Sequence, residues 1–320
     1  MMRFGIFGHQ QRAGSRETLT LLLRKIVERF PSSQIVLADG MASLMAPGTV
    51  EVLASLYDLA RTSDVIFSIG GDGTMLMAAR AIERTNPNAK LVGINLGKLG
   101  FISEHPPAEM DLLLDELASD SLVTEHRLML RSTVSSETTE LPRVNQDDLE
   151  PARVGSTAPE IALDALNEIV IDNYGSTRML TFEIFVNDAL LGRIRADGII
   201  IATPTGSTGY AVSAGGPIIE PTSRVMLVTP IAPHSLNIRP IIVPEEARVR
   251  VRSFADAPQQ ALVVADGQEQ AIVRTPSVVT VQAAPNRLKL LRRRERSYFD
   301  LLRTKLFWSA DTRDAGSVRM

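Results

Sequence analysis

The sequence contains no cysteine among its 320 residues. The absence of thiols excludes disulfide bonds, iron-sulfur clusters, thiolate zinc sites and cysteine nucleophiles. The sequence also has no run of about 18 apolar residues, the length that a membrane-spanning helix needs. Its N-terminal apolar run is too short for a signal peptide. We therefore expect a cytoplasmic protein that does not cross a membrane.

An excess of charge of one sign is missing as well, since the formal net charge is -3. No global basic field exists to attract nucleic acid or an anionic membrane surface, so we expect neither partner. Any anionic ligand must be bound by local groups. The 4 histidines show no paired spacing such as H-E-x-x-H, and we therefore expect no metal site held by the protein alone. The pattern favours a structural role for His234, which lies in a proline-rich turn.

Short apolar runs alternate with helix-period segments through the first third of the chain. Strands are predicted at residues 4–7, 35–37, 65–69 and 91–94, and helices at 19–27, 50–59 and 75–83. Strands that alternate with helices indicate a mostly parallel sheet. Beyond residue 122 the runs are nearly all strand-like. The sequence therefore predicts an α/β plus β protein, with a Rossmann-like α/β domain over 1–122 and a β-rich domain over 123–284.

Two segments depart from this pattern. Residues 135–162 are polar and rich in Glu, Asp, Pro and Ser, which predicts a surface insertion. The segment Arg287 to Arg296 is basic, and a nucleic-acid contact is one interpretation of it. Leucines alternate with its charges, however, which favours a half-buried strand or helix edge.

The sequence Gly70-Gly71-Asp72-Gly73-Thr74 lies between a predicted strand and a predicted helix. Turns at this edge of a parallel sheet are where open α/β folds bind ligands. Glycines can adopt positive φ and let backbone N–H groups approach phosphate oxygens, and the helix N-terminus favours negative charge. A carboxylate at this place repels phosphate unless a metal or a substrate hydroxyl lies between them. The combination indicates phosphoryl transfer, although a lone turn of this kind could also be a simple helix cap.

A second glycine turn, Asn95-Leu96-Gly97-Lys98-Leu99-Gly100-Phe101, follows the next predicted strand. The two turns together could form the wall of a nucleotide cleft, whereas the second alone is ordinary loop sequence. Lys98 is either a phosphate contact or an exposed lysine. Neither turn matches the P-loop or the G-x-G-x-x-G dinucleotide fingerprint.

A third cluster, from Ala196 to Pro217, concentrates glycine and small hydroxylated residues around Thr203-Pro204-Thr205-Gly206-Ser207-Thr208. Such a composition is poor core material and is typical of a loop that lines a polar ligand.

Taken in order, GGDGT, N-x-G-x-L-G-F, Leu166-Asn167-Glu168 and DG-x(4)-TPTGST-x-Y-x-x-SAGGP resemble the ATP-NAD kinase family. The resemblance continues through Asp266-Gly267 and into the residues before Trp308. GGDG alone is not specific, because diacylglycerol-kinase-like and phosphofructokinase-like proteins carry similar turns. The ordered set spans most of the chain. It implies an N-terminal α/β domain, a C-terminal β-rich domain, and a segment 285–320 that returns to the first domain.

The resemblance also implies an activity: transfer of the γ-phosphoryl group of ATP to the adenosine-ribose 2'-hydroxyl of NAD, which gives NADP and ADP. Asp72 is similar to the family's catalytic aspartate. The residues implied as a phosphate loop are Gly70, Gly71, Gly73 and Thr74. The residues implied as NAD contacts are Asp72, Gly73, Asn167, Glu168, Arg178, Arg195, Asp197, Thr208, Gly209, Tyr210, Ala211, Val212, Ser213 and Gln268. Gly209 stands where the family usually has alanine. Mg²⁺ or another divalent cation, held mainly by the ATP phosphates, and a homodimer or homotetramer are implied as well.

Two other functions fit part of these observations. A lipid or sugar kinase could share the GGDG turn, but its apolar entry groove or arginine cluster is not visible in the sequence. A dinucleotide-binding sensor could retain the pocket without turnover, although the presence of Asp72 argues against it. A kinase assay distinguishes these alternatives.

Overall fold

The computed structural model describes residues 1–44, 50–53, 55–136, 161–175, 178–255 and 259–306. The chain divides into two compact units. Unit 1 comprises Met1–Met75, Ala89–Glu125 and Leu290–Met320, and unit 2 comprises Leu76–Asn88 and His126–Lys289.

The regular elements of the described residues are as follows. The strands are β1 Arg3–Gly8, β2 Gln34–Ala38, β3 Glu51–Leu53, β4 Val65–Gly70, β5 Lys90–Asn95, β6 Val123–Arg127, β7 Leu130–Ser136, β8 Ile161–Ala165, β9 Glu168–Tyr174, β10 Leu180–Val186, β11 Ala189–Ala196, β12 Gly198–Ala202, β13 Val225–Ile231, β14 Ile241–Pro244, β15 Val249–Phe254, β16 Gln260–Ala265, β17 Glu269–Arg274, β18 Ser277–Ala283 and β19 Leu288–Arg292. The α-helices are α1 Ser15–Arg29, α2 Asp39–Ala42, α3 Leu56–Thr62, α4 Asp72–Thr85, α5 Met110–Ala118, α6 Tyr210–Ser213 and α7 Tyr298–Leu306.

The first sheet has the order β3-β2-β1-β4-β5-β19-β6. The strands from β3 to β5 are mutually parallel. β4, with the sequence Val-Ile-Phe-Ser-Ile-Gly, is buried along its whole length, as expected for a parallel strand covered on both faces. Helix α1 buries Leu19, Leu22 and Ile26 at helical spacing, and these side chains share a core with Phe4 and Phe67. The expected α/β architecture is confirmed.

The helix predicted over residues 50–59 is wrong in its first half. This stretch contains the short strand β3, which pairs in parallel with β2, and α3 begins only at Leu56. The Ser55 side chain accepts a hydrogen bond from the Asp58 backbone N–H at 3.1 Å and caps the helix. The apolar spacing of this segment was compatible with a helix, and pairing with β2 decided the outcome for β3.

Unit 2 is mainly β structure. One six-stranded sheet has the order β11-β10-β15-β18-β7-β8 and the other β14-β13-β12-β9-β16-β17. Buried side chains from both sheets, among them Phe182, Ile199, Val251 and Val281, belong to a single core. Buried and more exposed positions alternate along β10, as expected for a strand with one face on the core. The predicted β-rich second half is confirmed.

The polar segment predicted as an insertion lies between two paired strands. β7 and β8 are antiparallel neighbours, with Leu130 opposite Ala165 and Val134 opposite Ile161. Residues 135–136 and 161–162 at its ends therefore belong to the sheet. The intervening residues 137–160 lie outside the described residues.

The basic segment after residue 286 forms β19 in the first sheet, so the strand alternative is correct. Four of its five residues are buried, which is more burial than the predicted half-buried edge. Arg292 lies buried between two carboxylates, with its Nη2 atom 2.8 Å from Glu104 and its Nη1 atom 2.6 Å from Glu125. Arg293 pairs with Glu109 and Glu116. These ion pairs hold the returning C-terminal segment within unit 1. Among the described residues, no helix is long and apolar enough to span a membrane.

We expect Arg292→Met to lower the free energy of unfolding by about 3 kcal/mol, because it leaves two poorly solvated carboxylates without their cation. Arg294→Met is the matched control, since Arg294 is exposed on the same segment. Urea unfolding of both variants measures the difference. If the two variants unfold at the same urea concentration, the ion pairs do not contribute as described.

Candidate active site

The first glycine turn lies where β4 ends and α4 begins. β4 ends at Gly70, and Asp72 is the first residue of α4. A Cβ atom on Gly70 would collide with the Thr74 side chain, so close packing explains this glycine. Neither Gly70 nor Gly71 has a positive φ. The conformational freedom of these two glycines is therefore not used, and at Gly70 the turn requires space beside the Cα atom.

The carboxylate of Asp72 joins the two glycine turns of unit 1. Its Oδ2 atom accepts a hydrogen bond from the N–H of Phe101 at 2.8 Å. Its Oδ1 atom accepts from Ser103 at 2.9 Å and from Ile102 at 3.2 Å. A Cβ atom on Gly100 would collide with this carboxylate. The second glycine turn is thus shaped to receive Asp72, whose side chain bonds to that loop.

The side chain of Asn95 forms hydrogen bonds with the backbone of the same loop. The buried side chain donates through Nδ2 to the carbonyl groups of Lys98 at 3.0 Å and Ser103 at 2.9 Å. Its Oδ1 atom accepts from the N–H of Gly97 at 2.8 Å. These bonds satisfy backbone groups that would otherwise lack partners and fix the loop's conformation. The Lys98 side chain is exposed to solvent.

Unit 2 uses an aspartate in the same way, and this one is buried. The carboxylate of Asp266 accepts hydrogen bonds from three consecutive backbone N–H groups, those of Leu166 at 3.0 Å, Asn167 at 2.7 Å and Glu168 at 3.2 Å. The guanidinium of Arg80, only 3% exposed, lies 3.2 Å from the same carboxylate. Burial raises the pKa of Asp266, while Arg80 and the three N–H donors act in the opposite direction. Asp266 therefore positions the Asn167-Glu168 pair.

Arg80 also contacts Gln268, which the family resemblance implied as an NAD contact. Its Nη2 atom donates to the side-chain oxygen of Gln268. One turn later on α4, Arg84 pairs with Asp164 at 2.8 Å and with Glu269 at 2.7 Å. Helix α4 thereby contributes two arginines that hold the loop after β16 within unit 2.

Glu168 is a buried carboxyl with an incomplete set of hydrogen bonds. Burial, and then the nearby charge of Asp266, raise the pKa of Glu168 from 4.5 to about 8, opposed by a hydrogen bond from the Tyr210 backbone. Its Oε2 atom and the Oδ1 atom of Asn167 are buried without a hydrogen-bond partner. Unsatisfied oxygens on two consecutive residues are unusual in a folded protein and indicate a place where a ligand's donors bind.

The TPTGST segment packs against the Asn167-Glu168 pair. Thr203 donates its hydroxyl to the Leu166 carbonyl at 2.6 Å and accepts from the Gly206 N–H at 3.0 Å. A Cβ atom on Gly206 would collide with the Asn167 carbonyl, and one on Gly209 would stand 2.9 Å from Glu168 Oε2. Gly209 therefore leaves room beside this carboxyl that the family's usual alanine would occupy.

The structure divides the implied NAD contacts of unit 2 into two groups. The first group comprises Asn167, Glu168, Gln268 and the segment Thr208 to Ser213, which includes the buried Ala211 and the partly exposed Val212. The second group comprises the exposed Arg178, Arg195 and Asp197.

Asn173 connects two residues of the second group. Its backbone N–H donates to the Asp197 carbonyl at 3.2 Å, and its side chain donates to the Arg178 carbonyl at 2.6 Å. Glu168 is opposite Ala202, whereas Asp172 is opposite Gly198. Four residues of strand separate the groups by about 13 Å.

Two residues that position the first group were not among the implied site residues. Asp266 was part of a matched motif without an assigned role. For Arg80 the sequence offered an indication, since it is a charged residue between two apolar ones, Ala79 and Ala81. The structure shows that both alanines are buried. A cation on the buried side of a helix requires a buried anion, but the sequence did not show that this anion is Asp266.

Comparisons with known proteins identify the family of the chain. The model of the ATP-NAD kinase N-terminal domain matches residues 4–122, and that of the ATP-NAD kinase C-terminal domain matches residues 166–293. The chain is 32% identical over 306 residues to an NAD kinase of Azotobacter vinelandii, covering 96% of each chain. It is 34% identical over 309 residues to an NAD kinase of Chlorobaculum tepidum, covering 96% of this chain and 98% of the relative.

The fold is shared with solved structures, among them two kinases. Yeast NADH kinase, complexed with NADH, superposes with a TM-score of 0.82 at 22% identity, over 97% of this chain and 89% of the other. An NAD kinase from Archaeoglobus fulgidus, in complex with ATP, gives a TM-score of 0.67 at 24% identity, over 96% of this chain and 99% of the other. Two domain models and full-length relatives above 30% identity lead to one conclusion: the chain belongs to the ATP-NAD kinase family.

Proposed function

We propose that this chain transfers the γ-phosphoryl group of ATP to the adenosine-ribose 2'-hydroxyl of NAD, producing NADP and ADP. The observation that carries the proposal is the Asp72 carboxylate, which three backbone N–H groups hold in one orientation at the start of α4. A carboxylate offers about four acceptor positions, so one remains on Oδ2 for a further donor. A substrate hydroxyl is such a donor.

Phosphoryl transfer depends mainly on positioning and on neutralising charge. Asp72 would accept a hydrogen bond from the 2'-hydroxyl and orient that oxygen for in-line attack on the γ-phosphorus. As the bond to the phosphorus forms and the bond to the ADP oxygen breaks, the hydroxyl proton passes to the carboxylate. Gly70, Gly71, Gly73 and Thr74 form the turn that we propose as the phosphate loop.

The first group of unit 2 supplies the proposed dinucleotide contacts. Glu168, with its pKa raised to about 8, is largely protonated at neutral pH and carries an O–H donor as well as an acceptor. The unpartnered oxygens of Asn167 and Glu168 would accept hydrogen bonds from ribose hydroxyls or the carboxamide. Thr208 to Ser213 and Gln268 are proposed to line the same ligand.

A divalent cation is proposed to accompany ATP. Mg²⁺ prefers oxygen ligands in octahedral geometry and usually keeps waters and phosphate oxygens as ligands. Within the described parts of the chain, no cluster of three or more His, Asp or Glu side chains could hold a metal ion. The ATP phosphates are therefore proposed as its main ligands, and the cation would neutralise charge on the transferred group.

We also propose a cytoplasmic homodimer or homotetramer. β11 is an edge strand that exposes Leu190 and Leu191. Leu191 lines a shallow cavity of about 300 Å³ together with Ile238 and Ile241. An exposed apolar edge of this kind is typical of a protein interface. The second group of proposed NAD contacts, about 13 Å from the first along the strands, is proposed to lie near a subunit contact.

The proposal is tested by incubating the purified chain with ATP, Mg²⁺ and NAD and measuring NADP with an NADP-specific dehydrogenase. Production of NADP and ADP in equal amounts supports it. Binding of NAD without turnover would identify a sensor, and turnover of a lipid or sugar in place of NAD would identify a different kinase.

We expect Asp72→Asn to lower kcat by on the order of 10² to 10⁴, the usual effect of losing a positioned acid-base group. The substitution also turns an amide NH₂ group toward at least one of the N–H donors at residues 101–103, so Tm should fall as well. Single-turnover phosphorylation, calorimetric NAD binding and Tm are measured on one preparation. A rate within about tenfold of wild type, or about 1.4 kcal/mol in barrier terms, would contradict the catalytic assignment.

Glu168 gives a pH-dependent expectation for stability. Its pKa is about 8 in the folded protein and 4.5 ordinarily, so between these values the folded state binds a proton that the unfolded state has lost. The free energy of unfolding therefore falls as pH rises through this window. We expect Glu168→Gln to remove this contribution and to raise Tm at pH 8 by a few degrees relative to wild type, with no gain at pH 4.5. Glu246→Gln is the exposed control. Parallel Tm profiles for wild type and Glu168→Gln would contradict the raised pKa.

We expect the wild type to be a dimer or tetramer by light scattering at assay concentration. Leu191→Glu should shift it to a smaller species, because it places a charge in the apolar edge. Leu112→Glu is the control, since Leu112 is an exposed leucine on α5. A wild-type monomer with full activity would contradict the assembly.

A further inference from the structure

Arg12 lies in the loop between β1 and α1, which hydrogen bonds hold in a defined shape. The N–H of His9 donates to the Ile69 carbonyl of β4 at 3.3 Å. The His9 carbonyl accepts from the Arg12 N–H at 3.2 Å and from the Ser15 hydroxyl at 2.7 Å. Gly14 completes the turn with a φ of 83°. The loop is therefore anchored to the strand that carries the first glycine turn.

The guanidinium of Arg12 lies against both glycine turns. A Cβ atom on Gly71 would stand 2.9 Å from its Nη1 atom, and a Cβ atom on Gly97 would stand 2.7 Å from its Nη2 atom. A methyl group at either position would require the guanidinium to move. The planar group thus occupies space beside residues 71 and 97 that their missing side chains leave open.

The charge of Arg12 is not balanced by any carboxylate in the part of unit 1 that the structure describes, and its side chain is exposed to solvent. Other arginines of the unit are engaged differently. Arg29 pairs with Asp111 and Asp115, and Arg293 with Glu109 and Glu116. A guanidinium that lies against both glycine turns without an anion can present its N–H donors to an anion from solution.

The topology places this cation at a ligand-binding crevice. From β1 the chain continues to β2 and β3 on one side of the sheet, and from β4 it continues to β5 on the other side. The strand order therefore reverses between β1 and β4. In open α/β sheets, ligands bind outside the carboxyl ends of the strands at such a reversal. Arg12 follows β1 and the first glycine turn follows β4, so both border this crevice.

We propose that Arg12 binds the phosphate chain of the nucleoside triphosphate donor, an inference that rests on the proposed function and names a further residue of that site. The fork of N–H donors matches two phosphate oxygens at once, which a lysine cannot do. The same charge would lower the repulsion between the donor phosphates and the Asp72 carboxylate, which lies next to Gly71 in the sequence. A purely structural Arg12, which only holds the two turns, is the alternative that the experiment excludes.

The test compares Arg12→Ala and Arg12→Lys with wild type, with ATP and NAD varied independently. Arg12→Ala should raise the KM for ATP by about 10- to 100-fold, the range expected for lost charge-assisted hydrogen bonds, while the KM for NAD and Tm stay within twofold and about 2 °C of wild type. Arg12→Lys should recover part of the loss. Arg16→Ala is the control, because Arg16 is exposed nearby and, among the described residues, its side chain donates to the Leu44 carbonyl.

A second probe separates phosphate from nucleoside. Inorganic triphosphate should inhibit wild type competitively against ATP, and Arg12→Ala should raise its inhibition constant by about the same factor as the KM for ATP. An unchanged KM for ATP, an equal rise in both KM values, or a fall in Tm that accounts for the loss would each overturn the proposal. Calorimetric ATP binding keeps the test separate from the proposed function: if wild type binds ATP but forms no NADP, the function fails, while ATP affinity lost in Arg12→Ala alone still supports this site.

Discussion

Consecutive backbone N–H groups are all donors and need acceptors from elsewhere in the protein. In each unit, the carboxylate of one aspartate accepts hydrogen bonds from three such groups. Asp72 accepts the N–H groups of residues 101–103, and Asp266 accepts those of 166–168. Unpaired, such groups would cost free energy comparable to lost hydrogen bonds. Each candidate site is therefore built on a carboxylate that shapes a loop before any substrate arrives.

The two aspartates differ in what balances their charge. Asp266 is almost fully buried and has Arg80 beside it, so it is suited to a permanent structural role. Burial, together with the negative charge of Asp266, raises the pKa of Glu168 and keeps its carboxyl protonated near neutral pH. Asp72 is partly exposed, and the bonds described for it involve backbone donors alone, so an acceptor position stays accessible to a hydroxyl. The same residue type thus supports binding in one place and chemistry in the other because its surroundings differ.

Glycine serves close approach at these sites more than backbone freedom. Gly70 makes room for Thr74, Gly100 for the Asp72 carboxylate, and Gly206 for the Asn167 carbonyl. These three glycines are in this sense packing constraints, because another group needs the volume that a methyl would fill. Gly215 and Gly267 differ, since both have a positive φ and no atom within 4 Å of an added Cβ.

The sequence by itself determined the class of the fold, the strand-rich second half and the family, because strand and helix periods and the ordered glycine motifs are local properties. It also indicated that Arg287 to Arg296 is a strand or helix edge, and the structure decided for a strand. The domain bounds at 122 and 284, the individual NAD contacts and the assembly stay predictions.

Tertiary structure alone decided that residues 51–53 pair as a strand, that Asp72 receives the N–H groups of the second turn, and that Asp266 and Arg80 lie beneath Asn167. It alone separated Arg178, Arg195 and Asp197 from Glu168 along the strands. The physical reason is that these contacts join residues up to about 190 positions apart, and no local pattern of apolar or polar residues encodes which distant group will supply a partner.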